Sequence, residues 1–199
     1  MEVTLFGTGT NRSARCQWTL QEAGIEYAAI DRRDMASLEE MQRYHPLAKI
    51  PAAVIDGRAL FESAAICTYI ADRVPAAQLV AAPGTFARAE HDQWVAFCLT
   101  EMEAWLWNTA VNQYVLPEER RITAGFEQNV KMFKRSAAVP EAHLAQHDYL
   151  VENRFTVTDI IVGWCLNWAR RLGHLEEFPA LRRYVQRLLA RPLCALARE

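Results

Sequence analysis

The sequence has no uncharged apolar stretch long enough to cross a bilayer. Its first residues, Met1-Glu2-Val3-Thr4-Leu5-Phe6, lack the basic segment and apolar run of a secretory signal. The expectation is a cytoplasmic protein with no membrane partner. Basic charge is not in excess either: 22 Lys and Arg stand against 24 Asp and Glu, a formal net charge of -2, so a nucleic-acid partner is not expected. The five cysteines (Cys16, Cys67, Cys98, Cys165, Cys194) show neither Cys-x-x-Cys nor metal-ligand spacing. That argues against a dithiol redox motif and gives no reason to expect a metal, leaving reduced core thiols as the default. What the chain does have is 51% hydrophobic residues over 199 positions, enough for one large domain or two small ones.

The first part alternates strand and helix. Val3 to Phe6 reads as a short strand ended by Gly7-Thr8-Gly9-Thr10-Asn11, and Cys16, Leu20 and Ala23 fall on one stripe of a helix over 12–23 that Gly24 terminates. A strand over 27–31 and a polar surface helix over 37–44 follow, then strands over 51–55 and 59–61 joined by the hairpin pair Asp56-Gly57, then a helix over 63–73. The order βαβαββα predicts a mixed sheet with helices on its faces over residues 1–74. Residues 75–84 turn to Ala, Pro and Gly without periodicity and read as a linker. Residues 85–199 read as all helix, with stripes at Trp94, Cys98, Met102, Trp105, at Ile122, Phe126, Val130, Phe133, Ala137, and at Leu181, Tyr184, Val185, Leu188, Leu189. Ile160 to Ala169 is apolar nearly all round, so it belongs at the centre of a domain, and Thr156-Val157-Thr158-Asp159 before it has capping-box spacing.

Three segments offer chemistry. Thr8-Gly9-Thr10-Asn11-Arg12-Ser13 feeds a helix N-terminus, where free N–H groups favour a thiolate; the ordinary alternative is capping by Thr10, Asn11 or Ser13. In His45-Pro46-Leu47-Ala48-Lys49-Ile50-Pro51, a cis bond before Pro51 would expose the Ile50 backbone for pairing with a peptide, whereas a trans proline would merely start an edge strand. Glu62-Ser63 at a helix start suits an α-amino acid, with the Ser63 hydroxyl and first-turn N–H groups taking the carboxylate and Glu62 the ammonium; a plain cap beside a solvated acid is the alternative.

Pro51 followed by Glu62-Ser63-Ala64-Ala65-Ile66 resembles the glutathione-binding half of the cytosolic glutathione transferases. The run from Asn11 to Gly24 resembles the first helix of bacterial members, and Phe155-Thr156-Val157-Thr158-Asp159-Ile160 resembles the capping box of the family's helical domain. The resemblance implies a thioredoxin-like N-terminal domain, an all-helical C-terminal domain, a homodimer, and glutathione as co-substrate with an apolar electrophile in detoxification. On that reading Glu62 and Ser63 hold the γ-glutamyl end, Ile50 beside Pro51 pairs with the cysteinyl backbone, and Lys49 lies near the glycyl carboxylate.

The activating turn carries no tyrosine or cysteine. Counting back from Arg15 as the first-helix arginine of serine-type members puts Asn11 at the serine position, with Thr10 second and Ser13 third; each would hydrogen-bond the thiolate without taking its proton. His45 and Ala48 replace an asparagine and a glycine common in the family, and Cys16, on the apolar stripe, is a core residue rather than a nucleophile. Trp105, Trp107, Asn108, Tyr114 and Trp164 are candidates to line the second-substrate pocket between the domains, although aromatics at helical spacing are usually core. Two other classes compete: a noncatalytic binding module, resembling the stringent starvation protein or the transferase-like domains of translation factors, and a glutathione-dependent disulfide reductase or peroxidase.

Overall fold

A computed structural model of the chain describes residues 1–198. Strands β1 (Val3–Phe6), β2 (Ala28–Ile30), β3 (Ala52–Ile55) and β4 (Arg58–Phe61) form one sheet in the order β2-β1-β3-β4. β1 runs parallel to β2 and antiparallel to β3, and β3 pairs antiparallel with β4. The β3–β4 turn is the one the sequence calls for, since Asp56 and Gly57 both sit at positive φ (49° and 78°). Helices α1 (Ser13–Glu22), α2 (Leu38–Gln42) and α3 (Ser63–Arg73) complete a thioredoxin-like βαβαββα unit.

Alternation along β1 sends side chains to two cores. Val3 and Leu5 join α1 and α3 on one face, while Phe6 stacks on Tyr44 at 4.0 Å and packs with Met41, Ala48 and Ala52 beneath α2 on the other. Gly7 ends β1 where three segments meet; a Cβ there would collide with Ser13 Oγ and lie 2.8 Å from Ile50 Cβ, at a φ of 112° that side chains avoid. This one position brings the end of β1, the start of α1 and the Ile50 segment together.

Beyond the sheet the chain is helical: α4 (Phe86–Phe97), α5 (Ala104–Ala110), α6 (Phe126–Leu144), α7 (Val157–Arg171) and α8 (Pro179–Leu189), with π-helical turns over Cys98–Glu103 and Val111–Val115. The capping box forms as expected: Thr156 accepts from the Thr158 N–H, and Asp159 Oδ2 accepts from the Thr156 N–H at 2.8 Å. α7 starts three residues earlier than the apolar run suggests, because the cap sits at Thr156. Cys16, Cys67, Cys98 and Cys165 are buried free thiols. Ile122 departs from its stripe: it precedes α6 and is 70% exposed.

The larger of the two cores runs from the sheet through α1 and α3 into α7. Buried His91 of α4 adds a polar strap, with Nε2 3.0 Å from Thr68 Oγ1 of α3 and Nδ1 2.8 Å from Thr158 Oγ1 of α7. Burial pushes its pKa down to about 4, so the strap is neutral at physiological pH. The segment between α3 and α4 is docked on the core: Leu79 and Ala81 are buried, and the Leu79 carbonyl accepts from the Val157 N–H at 2.8 Å.

Candidate active site at the domain interface

A cleft of about 600 Å³ lies between the sheet and the helices. Asn11, Lys49, Ile50, Pro51, Glu62 and Ser63 all line it, although the chain separates them by as much as 52 positions. The Ile50–Pro51 bond is cis, and among the described residues the Ile50 N–H and C=O have no backbone partner. Lys49 is exposed, with Nζ 6.0 Å from the Trp107 ring centroid. His45 is buried at the cleft edge, where Nδ1 accepts from the Leu47 N–H at 3.1 Å.

Glu62 rather than Ser63 is the N-cap of α3. It sits at φ 70° and ψ 114° with its carboxylate making no capping bond, so the acid is held toward the cleft by an unusual backbone conformation. Ser63 is the first residue of α3, buried, and its Oγ accepts from Arg15 Nη1 at 3.2 Å. The hydroxyl proton remains free to donate.

The turn before α1 is internally tied. Thr8 Oγ1 donates to Asp31, whose carboxyl is held well below its usual range by donation first from Arg33 and then from Thr8. Asn11 Nδ2 donates to the Thr8 carbonyl at 2.7 Å, and Asn11 Oδ1 accepts from the Ser13 N–H at 2.8 Å. Asn11, the residue before the N-cap Arg12, thus ties the turn to the first residue of α1, yet its side chain is exposed on the cleft and keeps one amide proton. Ser13 lies beneath Gly7 instead, 0% exposed, its Oγ without a hydrogen-bond partner among the described residues. Thr10 faces a second, adjoining cavity, and its carbonyl accepts from Trp164 Nε1 at 3.1 Å.

That second cavity, about 290 Å³, shares Asn11, Arg12 and Trp107 with the cleft and continues along Trp164, Trp168 and Arg171. Of the aromatics singled out in the sequence, Trp107 and Trp164 line it. Trp105 packs on the core instead, Asn108 accepts from Asn129 Nδ2 at 2.9 Å, and Tyr114 stands 70% exposed on the second π-helical turn.

Sequence patterns did not point to the charged cluster at the cleft floor. Arg15, fully buried, donates to Glu103, to Ser63 Oγ and to the Ile161 carbonyl at 3.0 Å. Arg12 donates to Glu103 Oε1 at 2.5 Å and lies on the Trp107 ring, 4.6 Å from its centroid. Burial raises the Glu103 carboxyl, and the guanidiniums of Arg15 and Arg12 more than reverse this, so it stays ionised below the usual carboxylate range. Glu103 follows buried Met102 at the end of the Cys98–Glu103 π turn. The wider turn brings two successive residues inward, which an apolar stripe at α-helical spacing does not anticipate.

Cys98, Cys165 and Glu103 carry ligand atoms within 4.8 Å of one another. Glu103 is already held by two guanidiniums, which together outweigh its charge, so a further cation there would face Arg15.

A mixed thioredoxin-like sheet, whose cleft is floored by a cross-domain ion pair and closed by helices, defines a thioredoxin-like domain joined to a helical one with a cleft at the interface. Residues 1–72 match the family description "Glutathione S-transferase, N-terminal domain", and residues 117–187 match "Glutathione S-transferase, C-terminal domain". The chain belongs to the glutathione S-transferase family. It is 28% identical over 167 residues to glutathione S-transferase GST-4.5 of Xanthomonas campestris, covering 83% of this chain and 81% of the relative. It is 25% identical to elongation factor 1-gamma 2 of Oryza sativa over 94% of this chain but only 46% of that protein. A solved glutathione transferase family member from Pseudomonas fluorescens, with two glutathione bound, superposes with a TM-score of 0.83 at 27% identity, covering 96% of this chain and 90% of that one.

Proposed function

We propose that the protein is a glutathione transferase. The observation that carries the reading is the convergence, in one cleft, of an acid, a hydroxyl at a helix start, an unpaired backbone segment and a lysine. Each matches one group of γ-Glu-Cys-Gly. Glu62 faces the γ-glutamyl ammonium, and the Ser63 hydroxyl with the first N–H groups of α3 takes its carboxylate. The Ile50 N–H and C=O pair with the cysteinyl backbone, and Lys49 attracts the glycyl carboxylate. The sulfur then points toward the start of α1, where the free amide proton of Asn11 and the helix N-terminus favour the thiolate.

The thiol proton passes to solvent, the thiolate forms a carbon–sulfur bond, and the leaving group departs with its electron pair. No protein base is required, because lowering the thiol pKa suffices. Thr10 adjoins this point through the second cavity, while Ser13 has no surface on the cleft and holds the turn from beneath. A homodimer, a cytoplasmic location, a detoxifying role and a division into domains at 75–84 belong to the same reading through the family; light scattering checks the dimer.

The noncatalytic reading has one observation in its favour: the Asn11 amide already commits one proton and its oxygen to the turn before α1. Calorimetric titration with glutathione and with S-hexylglutathione, followed by assay with aryl halides, separates the two. Saturable binding with turnover supports the transferase. Binding without turnover leaves a glutathione site with no transferase chemistry, and no binding at millimolar ligand sinks the glutathione site and favours the module.

A further inference from the structure

We propose that the second substrate is a planar aromatic acid whose ring stacks among the indoles of the 290 Å³ cavity while its anionic group meets Arg171. This rests on the transferase reading and replaces the apolar electrophile expected from the sequence. Trp164 and Trp168 stand 5.5 Å apart at 56°, so a flat ring lying on one meets the edge of the other, an arrangement that aromatic quadrupoles favour. Trp168 is half-buried, whereas Trp107 already carries the Arg12 guanidinium on its ring.

Among the described residues the charge around this cavity is of one sign: no carboxylate lines it, while Arg12 and Arg171 do. Arg12 and Arg15 share the single carboxylate of Glu103, which leaves one positive charge uncompensated beneath the wall. Arg171 is exposed and takes part in no ion pair or side-chain hydrogen bond among the described residues. Asn167 is a weaker anchor than Arg171: it is buried and uncharged, its Nδ2 donates to the Ala197 carbonyl at 2.8 Å and its Oδ1 accepts from Arg170 at 3.0 Å, so one amide proton at most is left. A neutral hydrocarbon would displace water from Arg171 and return nothing; an aromatic carboxylate or sulfonate replaces that water with a charge-assisted contact. Asn11, common to both cavities, marks where the reacting carbon would meet the sulfur.

The test compares para-carboxybenzyl and benzyl conjugates of glutathione by calorimetry, in the wild-type protein and in Arg171→Gln. The carboxylated conjugate should bind roughly five- to tenfold tighter, the size of one charge-assisted contact at a partly wet rim. In Arg171→Gln the preference should vanish while affinity for glutathione itself stays unchanged. Equal binding of the two conjugates, or a preference that survives Arg171→Gln, overturns the proposal. If neither conjugate nor glutathione binds, the transferase reading has failed, and quenching of indole fluorescence by naphthalene sulfonate against naphthyl methanol judges the cavity alone. A sulfonate preference lost in Arg171→Gln then upholds it, and no preference ends it.

Discussion

Glu103 and Asp159 are both buried carboxylates, and the fold answers them in opposite ways. Glu103 meets two guanidiniums. Asp159 meets only neutral donors: the N–H groups of Leu150 and Thr156, the Thr156 hydroxyl, and the Tyr184 hydroxyl at 2.8 Å. Burial outweighs those four donors and pushes the Asp159 carboxyl up to about 6. At Asp159 neutral hydrogen bonds fix where the acid sits without offsetting its burial, whereas at Glu103 two full charges more than offset it. The difference matches the two roles. Asp159 ties the start of one helix, while Glu103 joins two domains under the cleft.

The sharpest way to break the comparison is to remove Glu103. Glu103→Ala leaves Arg15 charged, fully buried and without its counterion, and chemical denaturation should report a loss of about 3–5 kcal/mol. A loss below about 1 kcal/mol, the worth of a surface pair, would mean that the cluster does not join the domains.

The pH response of Asp159 comes next. Its pKa rises from 3.8 in the unfolded chain to about 6 in the fold, so the stability it contributes is fully present below pH 3.8 and is lost as pH rises through 6. Glu103 runs the other way, its contribution present above its unfolded value of 4.5 and lost as pH falls below it. Against Asp159→Asn, which cannot ionise, wild-type stability should therefore fall between about pH 4 and 7, by on the order of 3 kcal/mol. Parallel curves for the two proteins would show that the four donors hold the acid ionised after all.

Smaller effects test the cleft. Ser63→Ala removes the acceptor for Arg15 and the proposed donor to the ligand carboxylate, so glutathione affinity should fall about tenfold or more. Near-UV circular dichroism should stay native. Asn11→Ala should cost about 1 kcal/mol of stability through its two lost turn hydrogen bonds. Its glutathione affinity should change little and its turnover should drop; unaltered turnover would move thiolate stabilisation to the neighbouring backbone.

Much of the architecture was legible because local rules and tertiary structure agree here. The Asp56-Gly57 turn, the Gly24 stop and the Thr156–Asp159 cap each state their backbone geometry in residue type. The residues around Pro51, Glu62 and Ser63 were legible as short motifs, and the fold gathers them into one cleft. What escaped was long-range. Glu103 became interior only through a π turn, and Arg15 reads as an ordinary helical arginine until α7 closes over it, with Trp164 4.6 Å from its guanidinium. The choice among Thr10, Asn11 and Ser13 also depended on three-dimensional placement, since Gly7 lets Ser13 sink while the Thr8–Asp31 bond keeps Asn11 at the surface.

The shared counterion also constrains how this protein can be taken apart and recombined. The acid that balances Arg15 is carried by the other half of the chain, 88 residues away. Either half made alone would expose a charge that it cannot neutralise. A chimera that grafts a foreign helical half onto this sheet must bring a carboxylate to the position of Glu103 or replace Arg15 at the same time, so the two halves are compatible only as a matched set.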